Sequence, residues 1–332
     1  MTDGPRRRRY GRAWALQAAL LVAVAALGWA LIAHALATLR AQGVAAGFGF
    51  LRQPAGFEIG ESWLSYDAQR SLARAFIVGL SNTLRVALPA CVLTTILGTL
   101  IGIGRRAPYG PARALCTAYV ELVRNVPLLV QLLMWYFALT TFLPDAGEAW
   151  HGPGSVFISK SGLNFPWPTT PPGQWGPWTW DRPVVGPLNV SGGGVVTPEF
   201  LAVLLALTVY TAAFVAEVVR AGIEAVPIEQ VQAAQAQGLR PAQVVRFVVM
   251  PQALRVIVPS LTNQYLNLTK NSTLGVAVGY PELVSISNTA LNQTGRAFEC
   301  ITVITAIYLV LSLLTSAAMN GYNARVALRG AR

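Results

Sequence analysis

Gln230-Val-Gln-Ala-Ala-Gln-Ala-Gln-Gly-Leu-Arg-Pro241 is a polar stretch set between two apolar runs, Phe200 to Ala216 and Val256 to Thr269. Residues 228–237 are good helix formers, and Pro227 and Gly238 bracket them, which predicts a short helix. Gly238 can end that helix with a positive φ. Pro241 suits the first turn of a second short helix. Two short helices at a bend, between runs that approach the length needed to cross a bilayer, form a loop of a membrane protein. Such a loop suits docking into a groove on a soluble partner.

The same reading extends outward to six apolar runs. Ala13 to Leu39 contains only His34 and follows Arg6, Arg7, Arg8, Arg9 and Arg12. It is longer than the core of a signal peptide, so it predicts a retained helix. Val86 to Gly104 ends at Arg105-Arg106. That helix is expected to begin near Ala75, with Arg85 turned toward protein, because a charge facing lipid is costly. Asn125 to Pro144 is the third run, Phe200 to Ala216 (extended through Val219) the fourth, Val256 to Thr269 the fifth and Cys300 to Ala324 the sixth. The predicted fold class is therefore an all-α integral membrane protein with about six transmembrane helices.

Composition agrees. Hydrophobic residues make up 54% of the 332 residues and charged residues only 12%, about half the charged share of a soluble domain. Disorder is excluded, because it requires low hydrophobicity and high charge density. The net charge is +11, and 23 of the 25 basic residues are Arg. With the N-terminus inside, segments 1–12, 105–113, roughly 217–255 and 322–332 hold 15 of those 25. This is the expected inward bias of positive charge, and it places both termini in the cytoplasm. No nucleic-acid motif is present, so the basic excess does not point to nucleic acid.

The expected organisation follows. Residues 1–40 are a cytoplasmic arginine-rich start and a first helix, and 41–74 form an outer segment. Residues 75–321 form the main transmembrane domain, and 322–332 are a cytoplasmic tail. Residues 145–198 are an outer insertion rich in Pro, Gly and Trp, with Pro171-Pro172, Trp175, Trp178 and Trp180. It is expected to resist regular helix and to cover the outer face. The cytoplasmic loop spans about 224–252.

Catalytic signatures are absent from the sequence. There is no phosphate-binding G-x-x-x-x-G-K-[ST] loop, and no G-x-S-x-G or H-E-x-x-H. Two histidines, His34 and His151, are too few and scattered for a metal site. Cys91, Cys116 and Cys300 show no pairing pattern and read as apolar packing residues.

Gln232-Ala233-Ala234, three residues, Gly238, nine residues, then Val248-x-Met250-Pro251 resembles the E-A-A-x3-G-x9-I-x-L-P loop of ABC importer permeases. Gln232 stands where that pattern has Glu. Glu121-Leu-Val-Arg124-Asn-Val-Pro127-Leu-Leu-Val-Gln131 is similar to the E-x-x-R-x-x-P-L-L-x-Q stretch of polar amino-acid permeases. Gly79-Leu-Ser-Asn82-Thr83-Leu84 and Lys270-Asn271-Ser272-Thr273-Leu274 match that group as well. The likeness covers about residues 72–320. The additional first helix and two long outer segments resemble the general L-amino-acid permease subfamily.

That resemblance implies a type I ABC importer permease fold with an extra N-terminal helix, in the bacterial inner membrane. It implies a chain without a cofactor of its own, with ATP and Mg on a separate ATPase subunit. The implied partners are a second related permease subunit (heterodimer or homodimer), two cytoplasmic ATPase subunits, a periplasmic amino-acid-binding protein and membrane lipid. Gln232, Ala233, Ala234, Gly238 and Pro251 are the implied coupling residues. Glu121, Arg124, Pro127 and Gln131 form a structural motif, with Glu121 and Arg124 spaced to pair on one helical face. Lys270, Asn271, Ser272, Thr273 and Arg85 are candidates for the substrate pathway, since charge at membrane depth is costly unless used. A stand-alone secondary transporter, a non-transporting scaffold, and an ABC permease for another polar solute such as an opine are the alternatives.

Overall fold

The computed structural model describes residues 17–24, 26–30, 33–34, 37, 47–169, 178–187 and 189–329. The arginines at 6–9 and 12, residues 171, 172 and 175 of the insertion, and Arg332 lie outside the described residues. The chain divides into two units, Met1–Leu51 and Arg52–Arg332. Within the first unit, α1 (Gln17–Ala30) is an apolar helix shorter than a membrane span.

In the second unit, Ser71 caps α2 (Leu72–Gly104) by accepting the backbone N–H of Arg74. α3 (Gly110–Asn125) and α4 (Leu128–Thr141) follow, bent by 104° at Val126-Pro127. A Pro at 127 disfavours helix for the residue before it, which forces the break. The third apolar run is thus preceded by a helix that the sequence reading did not mark.

The insertion is built of short strands rather than irregular chain. β1 (Trp150–Gly152), β2 (Val156–Ser159) and β3 (Gly162–Phe165) form an antiparallel sheet with β8 (Gly194–Val196) in the order β1-β2-β3-β8. Val196 pairs with Leu163 across the last ladder. β4 (Trp167–Thr169) pairs with β5 (Thr179–Asp181), and β6 (Val184–Val185) with β7 (Val190–Ser191).

Thr197 caps α5 (Pro198–Glu224), the most buried of the spanning helices. The loop helices α6 (Ile228–Ala236) and α7 (Pro241–Val244) come next. A π turn over Val245–Val249 then leads into α8 (Met250–Asn271). A 3₁₀ segment (Ser272–Val278), α9 (Leu283–Thr294) and α10 (Ala297–Arg329) complete the described chain. Among the described residues, four helices are long and apolar enough to cross a membrane, and five if α3 and α4 count as one bent span.

The core centres on α5. Ala202, Val203, Ala206 and Leu207 pack against Val86, Ala87 and Ala90 of α2, Leu128 and Leu132 of α4, and Leu268 of α8. α2 lies close to α5 because Gly98 and Gly102 leave no room for more. A Cβ on Gly98 would meet Val215 Cβ at 2.6 Å, and one on Gly102 would meet the Ala216 carbonyl oxygen at 2.7 Å. The G-x-x-x-G pair therefore serves contact within the chain. The opposite side of α2 exposes Leu88, Val92, Ile96, Leu100 and Ile103. An apolar stripe on the outside of a long helix is the reverse of a soluble fold and suits lipid contact.

Candidate functional site

The loop between α5 and α8 has well-defined ends. Gly238 takes φ +82°. Its N–H donates to the Gln235 carbonyl at 2.9 Å, and the Leu239 N–H donates to the Ala234 carbonyl at 3.2 Å. This bonding pattern is a Schellman cap, which ends α6 and turns the chain. Pro241 opens α7, while Gln243 Oε1 accepts the Arg240 N–H at 2.8 Å. Pro251 has no N–H to continue the ladder. The preceding turn widens instead, and the Met250 N–H reaches the Val245 carbonyl. π turns of this kind often mark functional sites. Gln252 Nε2 ties the start of α8 back to α6 through Gln230 Oε1 at 2.7 Å.

Gln232, Ala233 and Gly238 are exposed, and Ala234 is buried beneath them. Ile228, Val245 and Phe247 expose large apolar side chains on the same loop. Apolar groups held outward on a polar loop are the composition of a docking surface.

An ion-pair network joins the root of this loop to α2. Arg105, just past the end of α2, pairs with Glu217 of α5. Glu217 also holds Arg220, which holds Glu224, and Arg106 reaches Glu224 at 3.1 Å. Residues 217, 220 and 224 share one helical face. In the sequence these arginines mark sidedness, and the network they form is not legible there. Its two strands lie more than a hundred residues apart, and no local pattern joins them.

α8 carries two chemistries. Asn263, Asn267 and Lys270 are exposed along one face, spaced at three and four residues, with Ser260 part-buried in the same row. Beside that face, Tyr210, Thr211 and Phe214 of α5 meet Gln264, Asn267 and Asn271 around a cavity of about 250 Å³. The structure thus brings Asn271 to a polar cavity. Ser272 is buried with its hydroxyl donated to the Thr269 carbonyl at 2.7 Å, and Thr273 is half-buried.

Arg85 lies elsewhere. Its side chain is 8% exposed and pairs with Glu61, 10% exposed. It is held 4.7 Å above the Trp63 ring and 4.8 Å from the Phe200 ring. Glu61 also accepts from Thr197 Oγ1 at 2.5 Å, so a residue of the 41–74 segment links α2 to the start of α5. Burial pushes the Glu61 carboxyl above its ordinary value, against the pull of Thr197 and Arg85. Arg85 is turned toward protein, as expected, but its charge is already neutralised and it lines a different cavity from Asn271.

The Glu121–Arg124 pairing does not form. Both side chains are exposed, and the Arg124 guanidinium lies 5.1 Å over the Phe214 ring. A cation over an aromatic face competes well with a solvated ion pair. Gln131 holds the bend after α3, its Nε2 donating to the carbonyls of Val123 and Val126 at 2.9 Å. Pro127 caps α4. Among the described residues, no group of three His, Cys, Asp or Glu side chains is placed to hold a metal ion.

Long apolar helices around a buried central helix, with a structured polar loop between two of them, define a multi-pass membrane protein. Residues 94–328 match the family described as "Binding-protein-dependent transport system inner membrane component", and the chain belongs to that family. It is 40% identical to the general L-amino acid transport system permease protein AapQ of Rhizobium johnstonii, over 93% of this chain and 90% of that one. It is 38% identical to the putative amino-acid ABC transporter permease protein YhdX of Escherichia coli, over 96% and 94%. The fold resembles a crystal structure of an amino acid ABC transporter with histidines (27% identity, TM-score 0.56, 76% of this chain and 94% of that one). It also resembles an inward-facing MetNI methionine ABC transporter (18% identity, TM-score 0.54, 77% and 97%). The architecture is the type I ABC importer permease fold, in a multi-pass inner-membrane transport subunit.

Proposed function

We propose that this chain is the membrane-spanning subunit of an importer for L-amino acids, driven by ATP hydrolysis on separate cytoplasmic subunits. One observation carries the reading: the capped α6–α7 loop is continuous with α5 and α8 and exposes Ile228, Val245 and Phe247. A force on that loop is delivered directly to two spanning helices. The ion pairs at its root extend the delivery to α2.

In this reading the loop end of the bundle faces the cytoplasm, with both chain termini, and the insertion faces the periplasm. The arginines at 105, 106, 220, 240 and 246 support that orientation. One of the two ATPase subunits docks on residues 224–252, with Gln232, Ala233, Ala234, Gly238 and Pro251 shaping the contact. ATP and Mg bind those subunits. A second permease chain faces the exposed polar face of α8 across the substrate path, because Asn263, Asn267 and Lys270 are unsuited to lipid. A periplasmic binding protein delivers the substrate above.

An amino acid carries opposite charges that each need a polar partner out of water. Gln264, Asn267 and Asn271 offer amides, and Lys270 offers a cation for a carboxylate. The names of the relatives support the amino-acid class. The test is reconstitution of the chain with its permease partner, ATPase and binding protein in vesicles. ATP-dependent uptake of L-amino acids is expected; uptake driven by a proton or sodium gradient without ATP would overturn the reading.

A further inference from the structure

α8 has a second face, turned away from Asn263, Asn267 and Lys270. Met250, Leu254, Ile257, Val258 and Leu261 line it, and with α2 and α10 they wall a cavity of about 790 Å³. From Met250 to Tyr265 the cavity follows about 22 Å of helix, more than the ~15 Å depth of one leaflet's hydrocarbon. Its inner end offers little to a polar guest, because Thr95 Oγ1 and Tyr265 OH are 2.6 Å apart and satisfy each other. At its mouth, where α2 gives way to the following loop, stands Arg106, the charged residue of the lining. The mouth carries a surplus of positive charge, since Arg105, Arg106 and Arg220 share only two carboxylates, Glu217 and Glu224.

We infer that this groove binds an acyl chain of an acidic phospholipid, with the lipid phosphate at Arg106. The inference rests on the orientation given above, in which the mouth lies at the cytoplasmic headgroups. A deep aliphatic slot ending in surplus positive charge matches a lipid of that leaflet, where acidic headgroups favour basic mouths between helices. A protein helix would fill the slot without supplying the anion. The chain's own first apolar segment is the poorer occupant, because it is preceded by Arg6 to Arg9 and Arg12. The wall also includes Val245 and Val249 of the π turn. A bound acyl chain therefore touches the element that joins the loop to α8, and acidic lipid tunes the coupling of ATP hydrolysis to transport.

The assembled importer, placed in phosphatidylcholine nanodiscs containing phosphatidylglycerol with a photoactivatable acyl tail, tests this by peptide mapping of adducts. Label is expected on α8 between Met250 and Leu261 and on α2 at Thr95 and Thr99. Unlabelled phosphatidylglycerol should displace it better than phosphatidylcholine, and inorganic phosphate should not displace it. Arg106→Gln should lower the preference for phosphatidylglycerol about fivefold, the contribution of one basic side chain at a headgroup surface. Leu254→Trp, at a part-exposed wall position, should block the labelling while leaving Arg106 in place. Label confined to the outer faces of α2 and α10, or an unchanged preference in Arg106→Gln, would overturn the inference. So would efficient cross-linking of Leu254→Cys to a second permease chain or to residues 13–39, which would show protein in the slot. The labelling requires no transport, so a failed amino-acid uptake assay leaves it readable.

Discussion

The guanidinium of Arg105 is bonded to the carboxylate of Glu217, joining the end of α2 to α5 two turns before the α6–α7 loop. Arg220 and Glu224 continue the chain of charges downward, and Arg106 closes it back onto the α2 side. The two helices already touch through Gly98 and Gly102. Glycine contact and ion pairs together tie α2 to α5 along this end of the bundle.

Glu217→Gln should loosen that tie. The Arg105 and Glu217 side chains are 14% and 31% exposed, so solvent screens the pair in part. A cost of about 1–2 kcal/mol is expected, between the values for exposed and buried pairs. A double-mutant cycle with Arg105→Gln, read by thermal unfolding, should give a coupling energy of similar size. Strictly additive losses would show that the two groups do not act together.

Gly238→Val should separate ATP hydrolysis from uptake. The residue sits at φ +82° with nothing within 4 Å of an added Cβ. The penalty is therefore purely conformational, about 1–2 kcal/mol for an L-residue in the left-handed region and more for a β-branched one. The Schellman cap opens, and α6 loses its fixed direction against α7. ATPase activity should persist in the assembled complex while uptake falls, and Gly238→Asn should retain more uptake than Gly238→Val. Equal uptake in the valine variant and the parent would sink this account of the loop.

The contrast between these sites shows what was legible in the sequence. Pro227, Gly238, Pro241 and Pro251 each impose a backbone constraint that acts locally, so the loop helices could be placed from the residues alone. Spans were legible because apolar runs of bilayer length have few other uses. α3 was not, because it is amphipathic and joins an apolar helix only after a 104° bend. The insertion's strands have two to four residues, too few for an alternating pattern to stand out. The partner of Arg85 was hidden for a different reason. Glu61 lies in a loop, and only the folding back of residues 57–66 over α2 brings the charges together.

Lys270→Ala should alter transport without altering stability. The side chain is exposed at the end of α8, beside the cavity that Asn267 and Asn271 line. A charge-assisted hydrogen bond to a substrate carboxylate contributes about 1.5–3 kcal/mol, so KM for uptake should rise at least tenfold. The thermal midpoint of the assembled complex should stay within about 1 °C of the parent, as for surface changes away from packed features. A lowered midpoint with unchanged KM would mean that Lys270 holds a neighbouring subunit and not the substrate.

Glu282 makes the fold sensitive to pH. The residue is fully buried at the start of α9, where its oxygens accept the Val284 and Ser285 N–H groups at 2.8 Å. Burial outweighs those bonds and pushes its carboxyl from 4.5 up to about 7. Between those values the folded protein holds a proton that the unfolded chain has released. Stability therefore falls as pH rises through the window, by an amount on the order of 3 kcal/mol once complete. Glu282→Gln keeps an oxygen to accept from the helix N-terminus and removes the titration. The variant should match the parent near pH 5 and exceed its thermal midpoint near pH 8. The opposite order, with the variant weaker at high pH, would mean that the carboxylate is held charged and that the helix-capping bonds outweigh burial.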